Sequence, residues 1–586
     1  MFLITTADQR YWKTDEPVLF LGEWCKLFSQ RGVWEKLDYK VLPYHWDDRT
    51  KLHRDYIYLQ SLYEALLVEL TEQLNYVHNV NKSLRYWRII VGPWLSYFVQ
   101  ILFDRWSSIQ QAVSEYSISG VRILDIDKKE IIPNDMVHFH CLYETDHWNA
   151  SIYSQLIKGW TSVPIEKLLQ STPLKSTELT YHNLIRNRRF KRNLAHAASF
   201  VLKAYTQEDE AFFIETYLPK KQDFFMQLRM GQVPKLWIRR AAPKTKVDFT
   251  WRLWKLGNES AEGYAAIVRS MIPCHIPALY LEGYSNLIAC CNDLTWPKKP
   301  RLIFTSNAYG SNDMFKAWAA GKVEVGVPLV VGQHGGMYGI GLWNSGEDHE
   351  HAISDVWLSW GWEDAERPNI KPVGNLKITR ARTKSAPNGH ALMVEMAMPR
   401  YSYMLYSVPV ARQWLDYLDE QFRFVEALPS EIRRNLLVRL YKHDYGWDQI
   451  ARWRKRFHDV QIDDGNSSMA KLINKARIYI ATYNATTFLE SLALDIPTII
   501  FWNPAHWEIR NSAINSFKQL QAVGIFHNTP EAAAHHMTRI WPDIALWWYS
   551  EEVQMVRQEF CWRYSRISKR HLDDLEKIFS VFKKNL

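Results

Sequence analysis

The sequence predicts an α/β protein: two doubly wound units facing a cleft, with a helical insertion in the N-terminal half. Three observations predict it. Near residue 300 short apolar runs begin to alternate with helical stretches, RLIFTSN, then DMFKAWAAGKVEVG, then VPLVV, a strand–helix–strand unit that implies parallel pairing. The same alternation returns after residue 390 and runs to PTIIFW. Between the two lies a linker near 364–390, which contains KPVGNLK.

Taken in order, MFLIT and PVLFLG read as strands, and from about 51 to 115 apolar residues fall at helical spacing. Within that stretch IIVGPWLSYFVQILF (89–103) is the most membrane-like run. It holds Pro93 and Gln100 and is shorter than the roughly 20 residues of a spanning helix. The reading is a buried helix, with an interfacial helix as the lesser alternative. Residues 120–220 are mixed, with a helix at LAHAASFVLKAY, and the insertion is placed at about 51–115 and 175–270. DVWLSWGW is a strand. In the second unit ALMVEMAM, NLLVRLY, IYIATY and PTIIFW are strands, and VARQWLDYLDEQFRFVEAL, MAKLINKA and TTFLESLALD are helices. Helices fill the remainder. The expected domains are an acceptor-side Rossmann-like unit over 1–365, a nucleotide-binding Rossmann-like unit over 366–545, and helices over 546–586 that pack back on the first.

Composition narrows the partners. A net charge of +9 on 586 residues fits an anionic small molecule or loose contact with an acidic membrane surface, not nucleic acid. The densest basic run, Arg186-Asn187-Arg188-Arg189-Phe190-Lys191-Arg192, reads as a solvated helix face. Six cysteines at 25, 141, 274, 290, 291 and 561 follow no disulfide or zinc pattern, so free thiols in a reducing compartment are expected. MFLITTADQRYW has no basic n-region and no apolar h-region, so a signal peptide is not expected there. The expected location is the cytoplasm, with a peripheral position at the inner membrane as the variant.

Paired Rossmann-like halves are the GT-B architecture of many nucleotide-sugar transferases, whose ligands sit at the carboxyl ends of strands. Four loops therefore carry the candidates. After VPLVV comes Gly332-Gln333-His334-Gly335-Gly336, where His334 can meet a phosphate or a reacting oxygen and Gly335 and Gly336 open the backbone to an anion. The polar cluster Glu347-Asp348-His349-Glu350 follows it, with Glu347 taken as a catalytic candidate. After NLLVRLY come Lys442, Asp444, Tyr445, Gly446 and Trp447, the cation, acid and ring types that a nucleotide needs. After IYIATY come Asn484, Thr486 and Thr487, where the threonines cap a helix whose N-terminus also suits phosphate, with Glu490 one turn on for a ribose hydroxyl. At the N-terminus Glu23 and Asp8 are candidate base or nucleophile, with Arg10 and Trp24 for the acceptor. Leu124-Asp125-Ile126-Asp127 imitates a metal-binding D-x-D but reads as an exposed turn. No metal and no resident cofactor are expected.

TTADQRYW, LGEWC, YHWDDR, VGPWL, ETYLP, QHGGMYG, SWGW, KPVGNLK, YKHDYGWD and NATTFLESLAL are similar to segments of a bacterial family of surface-polysaccharide transferases from O-antigen gene clusters. That family resembles, at a distance, transferases of CMP-activated ulosonic acids (Kdo, pseudaminic or legionaminic type) and CDP-glycerol phosphotransferases. GT-B sialyltransferases carry H-P and S-S/T motifs for CMP; His334-Gly335 and Thr486-Thr487 sit in comparable places, without the proline and with Thr-Thr. The resemblance implies a glycosyltransferase that moves a nonulosonic acid from a CMP-linked donor to a surface glycan or glycolipid. A CDP-glycerol-type phosphotransferase and a non-catalytic scaffold of polysaccharide assembly are the alternatives.

Overall fold

A computed structural model describes residues 1–124, 126–168, 207–257, 261–378 and 386–583. The basic run 186–192, the LAHAASFVLKAY helix, Asp125, the insertion from 175 to 206 and part of the linker lie outside the described residues.

The described residues form three parallel sheets. The first has strands β1 (Phe2–Ile4), β2 (Val18–Phe20), β3 (Tyr39–Val41), β4 (Gly120–Leu124) and β5 (Ile165–Leu168), in the order β3-β2-β1-β4-β5. The second has β6 (Phe212–Phe213), β7 (Ile303–Thr305), β8 (Leu329–Gly332), β9 (Val356–Ser359) and β10 (Ile370–Pro372), stepping one way as β10-β9-β8-β7-β6. The third has β11 (His390–Val394), β12 (Leu436–Arg439), β13 (Gln461–Asp463), β14 (Ala476–Ala481), β15 (Thr498–Phe501) and β16 (Phe526–His527), in the order β13-β12-β11-β14-β15-β16. The first and third orders reverse beside β1 and β11, the doubly wound pattern, and such reversals place ligand loops at the carboxyl ends of the strands.

The N-terminal half therefore faces the C-terminal Rossmann unit across a cleft, the GT-B arrangement, and that half contains two sheets. β10 pairs with β9, so the second sheet extends to Pro372, beyond the expected boundary at 365. KPVGNLK begins as that edge strand and only then becomes linker.

Two long helices join β3 to β4. The first, Arg49–His78, starts on the Asp48 carboxylate, which accepts from the Thr50 and Lys51 N–H groups at 2.9 and 3.1 Å, and stops at Asn79 in the left-handed region. The second, Leu84–Glu115, contains the apolar run 89–103 and lies buried on nearly all sides. Gln100, Asp104 and Arg105 are buried on it and hydrogen-bonded to other elements. Gln100 accepts from the Leu405 N–H. Asp104 accepts from the Tyr44 hydroxyl at 2.7 Å, and Arg105 donates to the Ser402 carbonyl at 2.8 Å and to Asn149 Oδ1 at 2.9 Å. The run is thus a core helix that ties the first and third sheets together. Among the described residues no helix is long and apolar enough to cross a membrane.

The C-terminal helices bridge both lobes. Phe560 of Glu551–Tyr564 faces Phe488 on the third sheet's side, and Phe579 of His571–Ser580 packs between Phe213 and Phe304 of the second.

Candidate functional site

β8 ends at Gly332 and the chain turns into the glycine-rich loop. Gln333, wholly buried, fastens that loop to SWGW. Its Oε1 accepts from the Trp360 N–H and Trp362 Nε1 at 2.9 and 3.0 Å, and its Nε2 donates to the Gly335 carbonyl at 2.7 Å. The loop then meets the third sheet directly. A Cβ on Gly336 would lie 2.2 Å from the Ala485 carbonyl oxygen and 2.6 Å from the Thr486 nitrogen. Only glycine lets the two backbones approach so closely.

This contact closes one side of a cavity of about 470 Å³, lined among others by His334, Gly335, Gly336, Tyr338, His349, Glu350, Asn484 and Thr486. The two separated sequence candidates, His334 and Thr486, thus share one crevice. His334 Nε2 lies 3.2 Å from the Tyr338 hydroxyl, and Nδ1 lies 3.8 Å from Glu350 Oε1. Burial, with the charge of Lys377, pushes His334 down to about 4, so it is neutral at physiological pH. Glu350 is 1% exposed; it accepts from the Tyr338 hydroxyl and from Trp357 Nε1, the latter at 3.0 Å. Burial pushes its carboxyl up to about 8.

Glu350 is the carboxyl group of the polar cluster that lines the cavity, and the sequence reading named it only as part of that cluster. The polar cluster forms a helix, Ser345–Ile353, capped by Asn344. Gly346, His349 and Glu350, at i, i+3 and i+4, share the face that lines the cavity. Glu347 does not line it. Its buried carboxylate pairs with Arg510 at 2.8 Å and lies 3.5 Å from His351; these partners outweigh burial and hold it below the usual carboxylate range. The catalytic expectation for Glu347 is therefore corrected: it locks an internal ion pair. The spacing that would have singled out Glu350 was present, but without the helix assignment it had no face to define.

The helix Thr486–Ala493 follows β14 at the reversal point of the third sheet. The expected threonine cap is absent: Ala485 occupies the cap position and no side chain caps the first turn. Thr486 lines the cavity, whereas Thr487 Oγ1 donates to the Tyr483 hydroxyl at 3.0 Å. Asn484 lines the cavity at 2% exposure with neither side-chain polar atom partnered. Glu490 sits one turn in, raised by burial and partly offset by Lys377, whose Nζ is 3.4 Å from Oε1. Lys377, from the linker, is a residue the sequence reading passed over.

A second cavity, about 1150 Å³, meets the first at His140 and opens between the first and third sheets. Asp8, Asp444, Tyr445 and Gly446 line it. Asp8 is engaged by Arg10: its carboxylate accepts from the Arg10 N–H at 3.0 Å and pairs with the guanidinium. Asp444 accepts from the Asp448 and Gln449 N–H groups, both at 2.8 Å, and so starts the helix Gln449–Arg456. Buried Arg400 crosses the floor, bonded to the Tyr445 carbonyl at 3.1 Å and to Asp146 at 3.0 Å.

Several expectations do not survive. Trp447, 2% exposed, donates to the Met398 carbonyl at 2.7 Å and stacks on Trp414, so it is core and not a base platform. Trp24, 1% exposed, donates to the Thr5 carbonyl at 3.1 Å and is core as well. Neither Lys442 nor Glu23 lines either cavity; Lys442 is exposed, and Glu23 pairs with Lys26 at 3.2 Å. Arg10 lines neither and is committed to Asp8. Aromatic and charged residue types in a strand-end loop are compatible with a ligand, but whether they point at one depends on which neighbours they pack against. Asp127 accepts from the Lys129 N–H and caps a short turn, consistent with the exposed-turn reading. Among the described residues no three His, Cys, Asp or Glu side chains gather as a metal site.

The sheets and the crevice between them define an α/β scaffold of GT-B type. The family described as LIC12162 family transferase matches residues 1–579, and the chain belongs to it. No curated protein matches the sequence. Among solved structures, Acinetobacter baumannii MurG is 12% identical, covering 51% of this chain and 79% of its own, with a TM-score of 0.27. WaaG, a glycosyltransferase involved in lipopolysaccharide biosynthesis, is 10% identical over 51% of this chain and 95% of its own, with a TM-score of 0.28. LpCGTa in complex with UDP is 11% identical over 51% and 79%, with a TM-score of 0.29.

Proposed function

We propose that the protein is a nucleotide-sugar-dependent glycosyltransferase. The observation that carries this reading is the Gly336 contact with Ala485 and Thr486, which sets a histidine–glutamic acid pair beside an uncapped helix N-terminus in one cavity. A donor phosphate would take the free N–H groups of the first turn and the Thr486 hydroxyl, with Lys377 nearby to offset charge. Negative charge grows on that phosphate as the glycosidic bond breaks, so fixed dipoles there favour the transition state, typically by several kcal/mol. Neutral His334 is able to accept the acceptor's proton; where Glu350 has already lost its own proton to solvent, Tyr338 links the imidazolium formed to that carboxylate, which balances its charge. The larger cavity, joined at His140, offers the acceptor's approach.

The finer expectation, a CMP-activated ulosonic acid passed to a surface glycan, rests on the motif resemblance at His334-Gly335 and Thr486-Thr487. A cytoplasmic site of action fits the six free cysteines.

The test is a thermal-shift panel of CMP, CDP, UDP, GDP and ADP, because a ligand of the native state raises its apparent stability. One nucleotide should shift the wild type, and Thr486→Ala should weaken that shift while Thr487→Ala leaves it. No shift with any nucleotide would sink the reading. Product masses after incubation with the selected donor separate glycosyl from phosphoglycerol transfer.

A further inference from the structure

The smaller cavity has an unusual wall. Among the described residues no lysine or arginine lines it. Its polar groups are amides, hydroxyls, three histidines and Glu350, and its rings are Tyr97, Tyr309, Tyr338 and Tyr406. Two polar side chains in it are buried and lack partners. His349 is 7% exposed with neither ring nitrogen bonded, and Asn484 is 2% exposed with neither amide atom bonded. They come from different sheets and converge on one space. A buried polar group left unsatisfied costs free energy, so native proteins rarely keep one without a purpose.

We propose that this cavity is a subsite for a neutral glycosyl ring, held through its hydroxyl groups by His349 and Asn484, and that it discriminates against sugars carrying a carboxylate. The proposal rests on the glycosyltransferase reading and narrows it. A hydroxyl both donates and accepts, so it satisfies an amide and a neutral imidazole together. Aromatic faces and methionines supply the apolar contact that a sugar ring offers on its C–H side. A carboxylate placed beside His349 and Asn484 would be buried with no lysine or arginine on the wall to meet it, and the helix start at Thr486 is already taken by the donor phosphate. Lys377 does not line the cavity and is engaged with Glu490. The titration state agrees: burial holds His334 and His140 down to about 4 and His349 down to about 3, and holds Glu350 up to about 8. The histidines and the glutamic acid of the wall therefore carry little charge near pH 7, and this argues against the ulosonic donors that the motif resemblance suggests.

The experiment compares sugars on the same nucleotide by calorimetry with the full-length chain: UDP-glucose against UDP-glucuronic acid, GDP-mannose against GDP-mannuronic acid, and CMP-N-acetylneuraminic acid against CMP. The neutral member of the pair should bind at least about ten-fold tighter than its acid, and the cytidine sugar about ten-fold weaker than CMP, the penalty expected for one unpaired buried charge after partial relaxation. Asn484→Ala and His349→Ala should narrow the neutral-to-acid ratio. That ratio is read within each variant and is not moved by a loss of overall stability. An acid that binds as tightly as its neutral partner, or CMP-N-acetylneuraminic acid binding tighter than CMP, overturns the proposal while leaving the glycosyltransferase reading intact. Failure of every nucleotide and sugar nucleotide to bind overturns both.

Discussion

Gly335 and Gly336 are adjacent and alike in sequence, yet the structure separates them sharply, and Gly336→Ala tests that difference. Neither residue has a positive φ, so alanine adds no backbone strain at either. At Gly336 the new methyl would sit 2.2 Å from the Ala485 carbonyl oxygen and 2.4 Å from its carbon, more than about 1 Å inside ordinary contact. Both partners are backbone and cannot rotate away. The loop must move off the helix Thr486–Ala493, at the upper end of overpacking costs, about 3 kcal/mol. In a domain of roughly 200 residues that lowers Tm by about 6–12 °C. The same displacement separates His334 from Thr486, and an error of about 1 Å in such a site costs around a hundred-fold. At Gly335 the nearest atom is the Tyr338 ring edge at 3.2 Å, which can yield, so Gly335→Ala should cost about 1 kcal/mol or less. Circular dichroism gives Tm, and titration with the nucleotide selected by the panel gives affinity. If Gly336→Ala melts with Gly335→Ala and binds nucleotide like the wild type, the loop and the helix do not meet as described.

Other outcomes follow from the buried charges. Arg510→Met strands the buried Glu347 carboxylate and should destabilise by about 3 kcal/mol, read from urea unfolding. Glu350→Gln, replacing a carboxyl already protonated at neutral pH, should fold normally but lose transfer activity, whereas an active Glu350→Gln enzyme would refute the proton role. Stability should peak near pH 6.5. Below it, His275 and His349, held down to about 3 by burial, stay neutral in the native state while the unfolded chain protonates, so stability falls as pH falls. Above it, Glu350 and Glu395, pushed up to about 8 by burial, keep protons that the unfolded chain has released, so stability falls toward pH 8. The upper limb should lose at most about 1.4 kcal/mol per pH unit per group, and Glu395→Gln should flatten it. A urea midpoint that climbs steadily from pH 6.5 to 8 would contradict this.

Much of the second half was legible because its strands and helices are short and regular. β7, β8, β9, β11, β12, β14 and β15 all overlap apolar runs visible in the sequence. The first sheet was less legible. About eighty residues, mostly the two long helices, separate β3 from β4, so no local alternation announces their sheet, and β5 reads exposed–intermediate rather than apolar. The site divides in the same way. His334, Gly335, Gly336, Asn484 and Thr486, which line the smaller cavity, could be singled out because a strand end followed by glycine or a helix start is a local signature. Glu350, named only within its cluster, and Lys377 could not be singled out, because a carboxyl group in a helix and a lysine in a linker acquire meaning only from what they approach.

The sequence by itself determined the parallel α/β architecture and singled out two loops that prove to line one cavity, since periodicity, strand-end glycines and helix starts are properties of neighbouring residues. Only the tertiary structure decided that the N-terminal half holds two sheets, that Glu350 rather than Glu347 faces the cavity, and that Trp24 and Trp447 are core. Burial, pairing and a carboxyl group's charge state are set by groups distant in the chain, and no local pattern encodes which of them will arrive.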